Sequence, residues 1–113
     1  MTPRRYKVVI ADSGKEDIKQ RKKYIIDSFK YRSYAENFSQ KIKKAVMQLD
    51  IFPVGYDTTG FTYKEYDIYF KPYQSYIIFY TVNDDKGVVT VLRVLRDSED
   101  WQYIIRKWIF ENR

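Results

Sequence analysis

Two arginines interrupt a run that otherwise reads as a core strand: Arg93 and Arg96 lie within Val88–Arg96, among Val and Leu. Side chains alternate faces along a strand, so two residues three positions apart are expected on opposite faces, not in one site. Arg96 is followed by Asp97 and Asp100, which leaves two readings open, a functional cation and a structural salt bridge. Lys64, Lys71, Tyr73 and Tyr80 are the other titratable groups within reach of the same chemistry. The chain contains no His and no Cys. That removes the commonest general base, the cysteine nucleophile and thiolate metal sites. Acid–base chemistry would fall to Lys, Arg, Tyr, Asp or Glu. Asp84-Asp85 reads as a turn with no third carboxylate at ligand spacing, and Gly55 and Gly60 form no phosphate loop, so neither metal nor cofactor is expected.

A second group of cations is Lys15, Lys19, Lys22, Lys23 and Lys30, largely along one side of a predicted helix. They suit a solvated face, or a docking face for acidic protein or nucleic-acid backbone. The net charge of +6 is unevenly placed: residues 1–50 hold 13 Lys/Arg and 6 Asp/Glu, leaving 8 and 9 in residues 51–113. The whole cationic excess thus belongs to the first half and favours an anionic partner. Twelve tyrosines suggest an aromatic platform for bases. Tyr66, Tyr76 and Tyr80 fit core or half-buried strand positions better, whereas Tyr63, Tyr69 and Tyr73 are candidates for a contact surface.

The elements that must position these groups can be read from periodicity. Tyr6–Ile10 is a short β-branched strand. Ser13-Gly-Lys-Glu16 has the form of a capping box opening a helix to Phe29, with Ile18, Ile25, Ile26 and Phe29 facing inward. Arg21 and Lys22 fall where that stripe should continue, so their stems are expected to cover core while their charges reach water. Ser33-Tyr-Ala-Glu36 is a second capping box before Ala35, Phe38, Ile42, Ala45, Val46 and Leu49, the clearest helical stripe in the sequence. Lys43 and Lys44 point away from it. The two helices, joined by about three residues, should be antiparallel neighbours.

Pro53, Gly55 and Gly60 end the helical half. Then Ile68 and its alternate neighbours predict a strand with one buried face. Tyr76–Val82 reads as a central strand and Val88–Leu95 as a third, joined by the hairpin loop Asn83–Gly87. Asp97–Asp100 offers caps for a last helix with Trp101, Ile104, Ile105 and Trp108 on its apolar stripe. The expected fold is α+β in the order β-α-α-β-β-β-α: a helical hairpin on a four-stranded, mainly antiparallel sheet, with the first strand's neighbour left open. The 113 residues, 44% hydrophobic and 19% aromatic, suit one domain over residues 1–113. The basic segment Met1–Lys7 precedes no apolar signal region, and the longest apolar run is far below the ~20 residues of a membrane helix. A cytoplasmic protein without a membrane partner is therefore expected.

The ordered set of motifs resembles the RelE/ParE toxins of type II toxin–antitoxin modules. It comprises the corner Leu49-Asp-Ile-Phe-Pro53, the strand Tyr76-Ile-Ile-Phe-Tyr80-Thr-Val and the ending Val91-Leu-Arg-Val-Leu-Arg96-Asp-Ser-Glu-Asp-Trp101. The resemblance covers about Tyr6 to Ile105. It implies a cognate antitoxin that wraps and neutralises the toxin, with Trp101 in the C-terminal part as one possible contact. It also implies one of two targets. RelE-like members cut mRNA in the ribosomal A site with basic residues on the sheet. ParE-like members poison DNA gyrase without that cluster.

By that resemblance, Asp67 and Tyr69 stand where the RelE pattern has two Lys, and Ile77 where it has an Arg. Only Arg96 has a counterpart, and Trp101 lacks a titratable hydroxyl. Making a cyclic phosphate from RNA needs a base, an acid and stabilisation of a dianionic phosphorane, and an Asp in the site repels the phosphate. The sequence therefore favours a gyrase poison over an endoribonuclease using Arg96 with Lys71, Tyr73, Tyr80 or Arg93. A catalytically inert toxin fold that only binds antitoxin is the third reading.

Overall fold

The structure, a computed structural model, describes residues 4–113; of the basic segment Met1–Lys7, the first three residues lie outside the described part. Strand β1 (Lys7–Ile10) leads into helices α1 (Asp12–Phe29) and α2 (Arg32–Met47). Two short 3-10 turns, Gln48–Asp50 and Pro53–Gly55, lead to β2 (Asp57–Tyr63), β3 (Tyr66–Tyr73), β4 (Tyr76–Asn83) and β5 (Val88–Arg96), and α3 (Trp101–Asn112) follows. The fold is α+β as expected, with one strand more than the sequence pattern predicts. The sheet has five strands in the order β1-β5-β4-β3-β2. β1 pairs parallel with β5, and the other neighbours are antiparallel.

The additional strand is β2, an edge. Its sequence Asp57-Thr-Thr-Gly carries no apolar alternation, and Gly60 sits at φ +86° within an irregularity between Thr58 and Thr62. Thr59 Oγ1 spans that bulge, donating to Ile68 O at 2.9 Å and accepting from Phe61 N at 3.1 Å. The β2–β3 turn places Lys64 at φ +50° and Glu65 at φ +74°, a left-handed pair without the Gly or Asn that usually marks it.

Both sheet faces are covered. On one, Ile18, Ile42, Ala45, Val46 and Leu49 of the helical hairpin pack on Ile78, Tyr80, Val89, Val91 and Val94. On the other, Ile105 and Trp108 of α3 pack on Ile68, Ile77, Phe79, Leu92 and Leu95. β4 is therefore apolar on both faces because helices lie on both. Each fully buried Val, Leu, Ile or Phe side chain among these contributes about 1.5–3 kcal/mol. The α2 stripe falls as predicted, whereas Phe29 at the end of the α1 stripe is exposed.

Neither expected capping box forms. α1 begins after Ala11, and Ser13 Oγ donates to Leu92 O at 2.6 Å instead of capping its own helix. α2 begins after Tyr31, and Glu36 pairs with Lys22 at 3.2 Å. The first departure has a topological cause. β1 stops at Ile10, so β5 beyond Val91 has an open backbone edge. The first turns of α1 close it: Ala11 N–H donates to Val91 O, Ser13 to Leu92 O, and Asp17 accepts from Val94 N–H at 2.9 Å. Gly14 permits this approach, since a Cβ there would lie 3.3 Å from Val91 O and 3.0 Å from Ile10 Cγ2. At α3 the expected cap does form, with Asp100 accepting from Tyr103 N–H.

Candidate functional site

The groove between α1 and α2 is the largest cavity described, about 500 Å³. Ile10, Ile18 and Ile26 make its floor, and Lys15, Lys19, Lys22, Lys23 and Lys43 stand around it with Asp27 and Ser39. Helical spacing explains the arrangement. Residues at i, i+3, i+4, i+7 and i+8 from Lys15 share one flank of α1, and that flank faces α2. The four α1 lysines singled out in the sequence are thus brought together, and α2 adds Lys43. Lys30 is separate: it takes a left-handed conformation (φ 59°) and closes α1 with its N–H on Ile26 O. Of the rim lysines only Lys22 is held in an ion pair, with Glu36, among the described residues.

The sheet cations behave differently. Lys71 is 6% exposed, and its Nζ donates to Ala45 O at 2.9 Å and to Gln48 Oε1 at 3.4 Å, over the Tyr56 ring. It closes the C-terminal end of α2, where carbonyls lack intrahelical donors. Burial lowers its pKa from the usual lysine value. Alternation along β3 groups Lys71 with the polar face, yet that face lies under the helical hairpin. Tyr80 is fully buried, and its hydroxyl donates to Pro53 O at 2.5 Å. Burial raises its pKa first, with Tyr56 and Tyr69 adding to the effect. Tyr69 stacks on Tyr80 with centroids 5.5 Å apart, and burial also raises its pKa. Tyr73 is half-buried beside the same core and pairs with Tyr76.

Arg93 donates to Asp17 through Nε at 2.7 Å and Nη2 at 3.0 Å. Asp17 is held more protonated than usual by burial, an effect opposed by Arg93 and the Val94 N–H. Arg96 pairs with Tyr76 across the strands, and its backbone N–H donates to Glu99 Oε1 at 3.2 Å. Arg93 and Arg96 alternate faces as expected, Arg93 lying toward Tyr103, Ile104 and Lys107 of α3 and Arg96 opposite Tyr76 on the face under the helical hairpin. They nevertheless border the same cleft, a polar space of about 230 Å³ between α1 and the ends of β4 and β5. β1 stops at Ile10, so Arg93 reaches around the open edge of β5 to Asp17 of α1. Arg21, which periodicity assigns to covering core, also lines this cleft; a cation at a stripe position is the signal that marks it. Trp101 packs half-buried on Phe70 and Phe79 under α3.

The family model described as the ParE toxin of the type II toxin–antitoxin system parDE matches residues 8–101. The chain belongs to that family. No curated protein matches this ParE-family chain significantly in sequence. Among solved structures it is similar to one described as the chromosomal ParDE toxin–antitoxin system from P. aeruginosa, with TM-score 0.64, 11% identity, and coverage of 82% of this chain and 97% of that one. It is also similar to the archaeal RelE–RelB complex from Pyrococcus horikoshii (TM-score 0.55, 15% identity, 83% and 97% covered). A third likeness is to the toxin–antitoxin complex RelBE2 from Mycobacterium tuberculosis (TM-score 0.55, 16% identity, 88% and 97% covered). At these identities the likeness is one of fold. Among the described residues, no helix of this ParE-family chain is long and apolar enough to cross a membrane.

Proposed function

We propose that this chain is a cytoplasmic, single-domain toxin that acts by binding, as a ParE-like poison of DNA gyrase, and not by cutting RNA. One observation carries this reading: the groups that a nuclease would need on the sheet are spent on the fold. Lys71 is tied to the end of α2, Arg93 to Asp17, and Tyr80 to Pro53 O. Burial raises the Tyr80 pKa away from neutrality; it lowers that of Lys71, but the Lys71 Nζ is enclosed and held by Ala45 O and Gln48 Oε1, so it is the lack of access that keeps it from a substrate. A general acid or base needs the opposite arrangement, an accessible group with a pKa near working pH.

The antitoxin is the proposed occupant of the α1–α2 groove. An apolar floor with a cationic rim fits an amphipathic segment that carries acidic residues on either side of an apolar stripe. The similar solved structures are described as a ParDE toxin–antitoxin system, a RelE–RelB complex and the toxin–antitoxin complex RelBE2, which supports such a partner. Lys15, Lys19, Lys22 and Lys23 are the proposed contacts there; Tyr69 and Trp101 are further proposed contacts, through their accessible edges.

The test is purified gyrase with supercoiled plasmid. Cleaved DNA should accumulate with toxin and disappear when antitoxin is added. Unchanged supercoiling at excess toxin sinks the reading. A second reading has one observation in its favour, since Arg96 forms no side-chain ion pair among the described residues. A ribosome-dependent endoribonuclease gripping the phosphate with Arg96 would cut A-site codons on programmed ribosomes, and Arg96→Ala would abolish the cuts.

A further inference from the structure

The cleft beside Arg96 contains donors that no acceptor among the described residues takes up. Arg21 Nε donates to the Tyr76 hydroxyl at 3.1 Å. Its guanidinium lies 4.4 Å from the Tyr24 ring centroid and 5.9 Å from that of Tyr76, so it is braced between two aromatic rings. Stacked guanidinium groups are held in place while their in-plane N–H groups stay available. The Tyr76 hydroxyl accepts that bond and donates to no group among the described residues. Arg96 Nε is buried without any hydrogen-bond partner. A buried, charged donor without an acceptor is costly, and a native structure rarely tolerates one unless something else supplies the acceptor.

Most carboxylate oxygens nearby are already engaged, and the Glu99 Oε2 and Gln20 Oε1 atoms that remain take no bond from Arg21 or Arg96. Asp17 gives both oxygens to Arg93 and one also to Val94 N–H, and Glu99 Oε1 takes the Arg96 backbone N–H. Three guanidinium groups against two carboxylates leave one net positive charge in the cleft. The unused donors come from three elements: Arg21 from α1, Tyr76 from β4 and Arg96 from β5. Donors converging from three directions match the several oxygens of a tetrahedral oxyanion better than the two coplanar oxygens of a carboxylate. A volume of about 230 Å³ holds such a group with space beside it.

We propose that Arg21, Tyr76 and Arg96 form a binding site for a phosphate group. Arg21 and Arg96 clamp the oxygens, and the Tyr76 hydroxyl, oriented by Arg21, donates to a third. The site does not rest on the choice of gyrase or mRNA as target, because it is defined by donors of this chain alone. It also accounts for Arg21, a charged residue on a helical stripe that otherwise serves packing.

The test is a titration of the full chain with inorganic phosphate at constant ionic strength, followed through arginine Nε–H resonances. Arg21 and Arg96 signals should shift saturably, while Arg93, occupied by Asp17, stays in place. Arg21→Gln and Arg96→Gln should each weaken binding by roughly 10- to 100-fold, the worth of a charge-assisted hydrogen bond. Lys86→Gln, on the exposed hairpin loop, should leave the affinity unchanged. Adenosine monophosphate in a second arm separates sources: tighter binding than phosphate, with Tyr24 signals moving, assigns the phosphate to a nucleotide, and equal binding assigns it to the free ion. The wild-type spectra decide the matter even if a variant fails to fold. No saturable shift overturns the site. So does acetate binding as tightly as phosphate, which would make the cleft a receptor for protein carboxylates.

Discussion

The groove lysines and the sheet cations carry the same charge and are used in opposite ways. Lys15, Lys19, Lys23 and Lys43 stand around an apolar floor without ion-pair partners among the described residues. Lys71 and Arg93 are enclosed, and each holds one element to another: Lys71 joins β3 to the end of α2, and Arg93 joins β5 to α1. The difference follows from topology. A helix flank that faces another helix across a gap leaves flexible stems in water. A strand covered on both faces forces any cation on it to find an internal acceptor or to reach an edge. Free charges are suited to a partner, and engaged ones to stability.

The largest expected effect tests the free set. Reversing Lys15, Lys19, Lys22 and Lys23 to Glu places like charges against an acidic partner, which costs several kcal/mol. Antitoxin affinity should fall by roughly a hundredfold or more in calorimetric titration. Each single reversal should move folding stability by only about 0.5 kcal/mol, because the sites are on the surface. A large loss of stability with unchanged affinity would reverse the comparison.

Arg93→Met tests the engaged set. It strands the Asp17 carboxylate against β5 with only the Val94 N–H left, in a place where both partners are mostly buried, 19% and 14% exposed. The expected loss is about 2–4 kcal/mol in urea unfolding, near that of breaking a buried pair. Antitoxin affinity per folded molecule should stay unchanged. Tyr80→Phe is a smaller version of the same break. It leaves Pro53 O without its donor and should cost about 1–2 kcal/mol by the same measurement.

These particulars also show how much could be read without coordinates. The α2 stripe, the Asn83–Gly87 hairpin and the Asp100 cap were legible because each rests on local chemistry. The β2 strand was not. It is a half-exposed edge, and its turn uses Lys64 and Glu65 at positive φ, residues that carry no turn signal. The two serine capping patterns misled for a tertiary reason: Ser13 is drawn to Leu92 O by an edge that exists only once β1 stops short. The groove was half legible. Lysine spacing on α1 marks one wall, but nothing local says that Lys43 of α2 faces it. Arg96 stood out by type, whereas Arg21 needed the fold to bring it beside Tyr76.

The smallest effect, and the finest discrimination between the two sets, is pH dependence. Burial lowers the native pKa of Lys71 below its ordinary value of 10.5. Between those two values the unfolded chain binds the proton more firmly than the native one. Stability therefore rises with pH across that window, and the desolvation cost is fully present only below it. Lys71→Met removes the titration while keeping much of the stem. The difference in unfolding free energy, wild type minus variant, should thus climb as pH rises through the native pKa and level off above the ordinary value of 10.5. Other groups, Tyr80 among them, titrate in both proteins and cancel in the difference. A flat difference would mean that Lys71 is not enclosed beneath α2 and belongs with the free set.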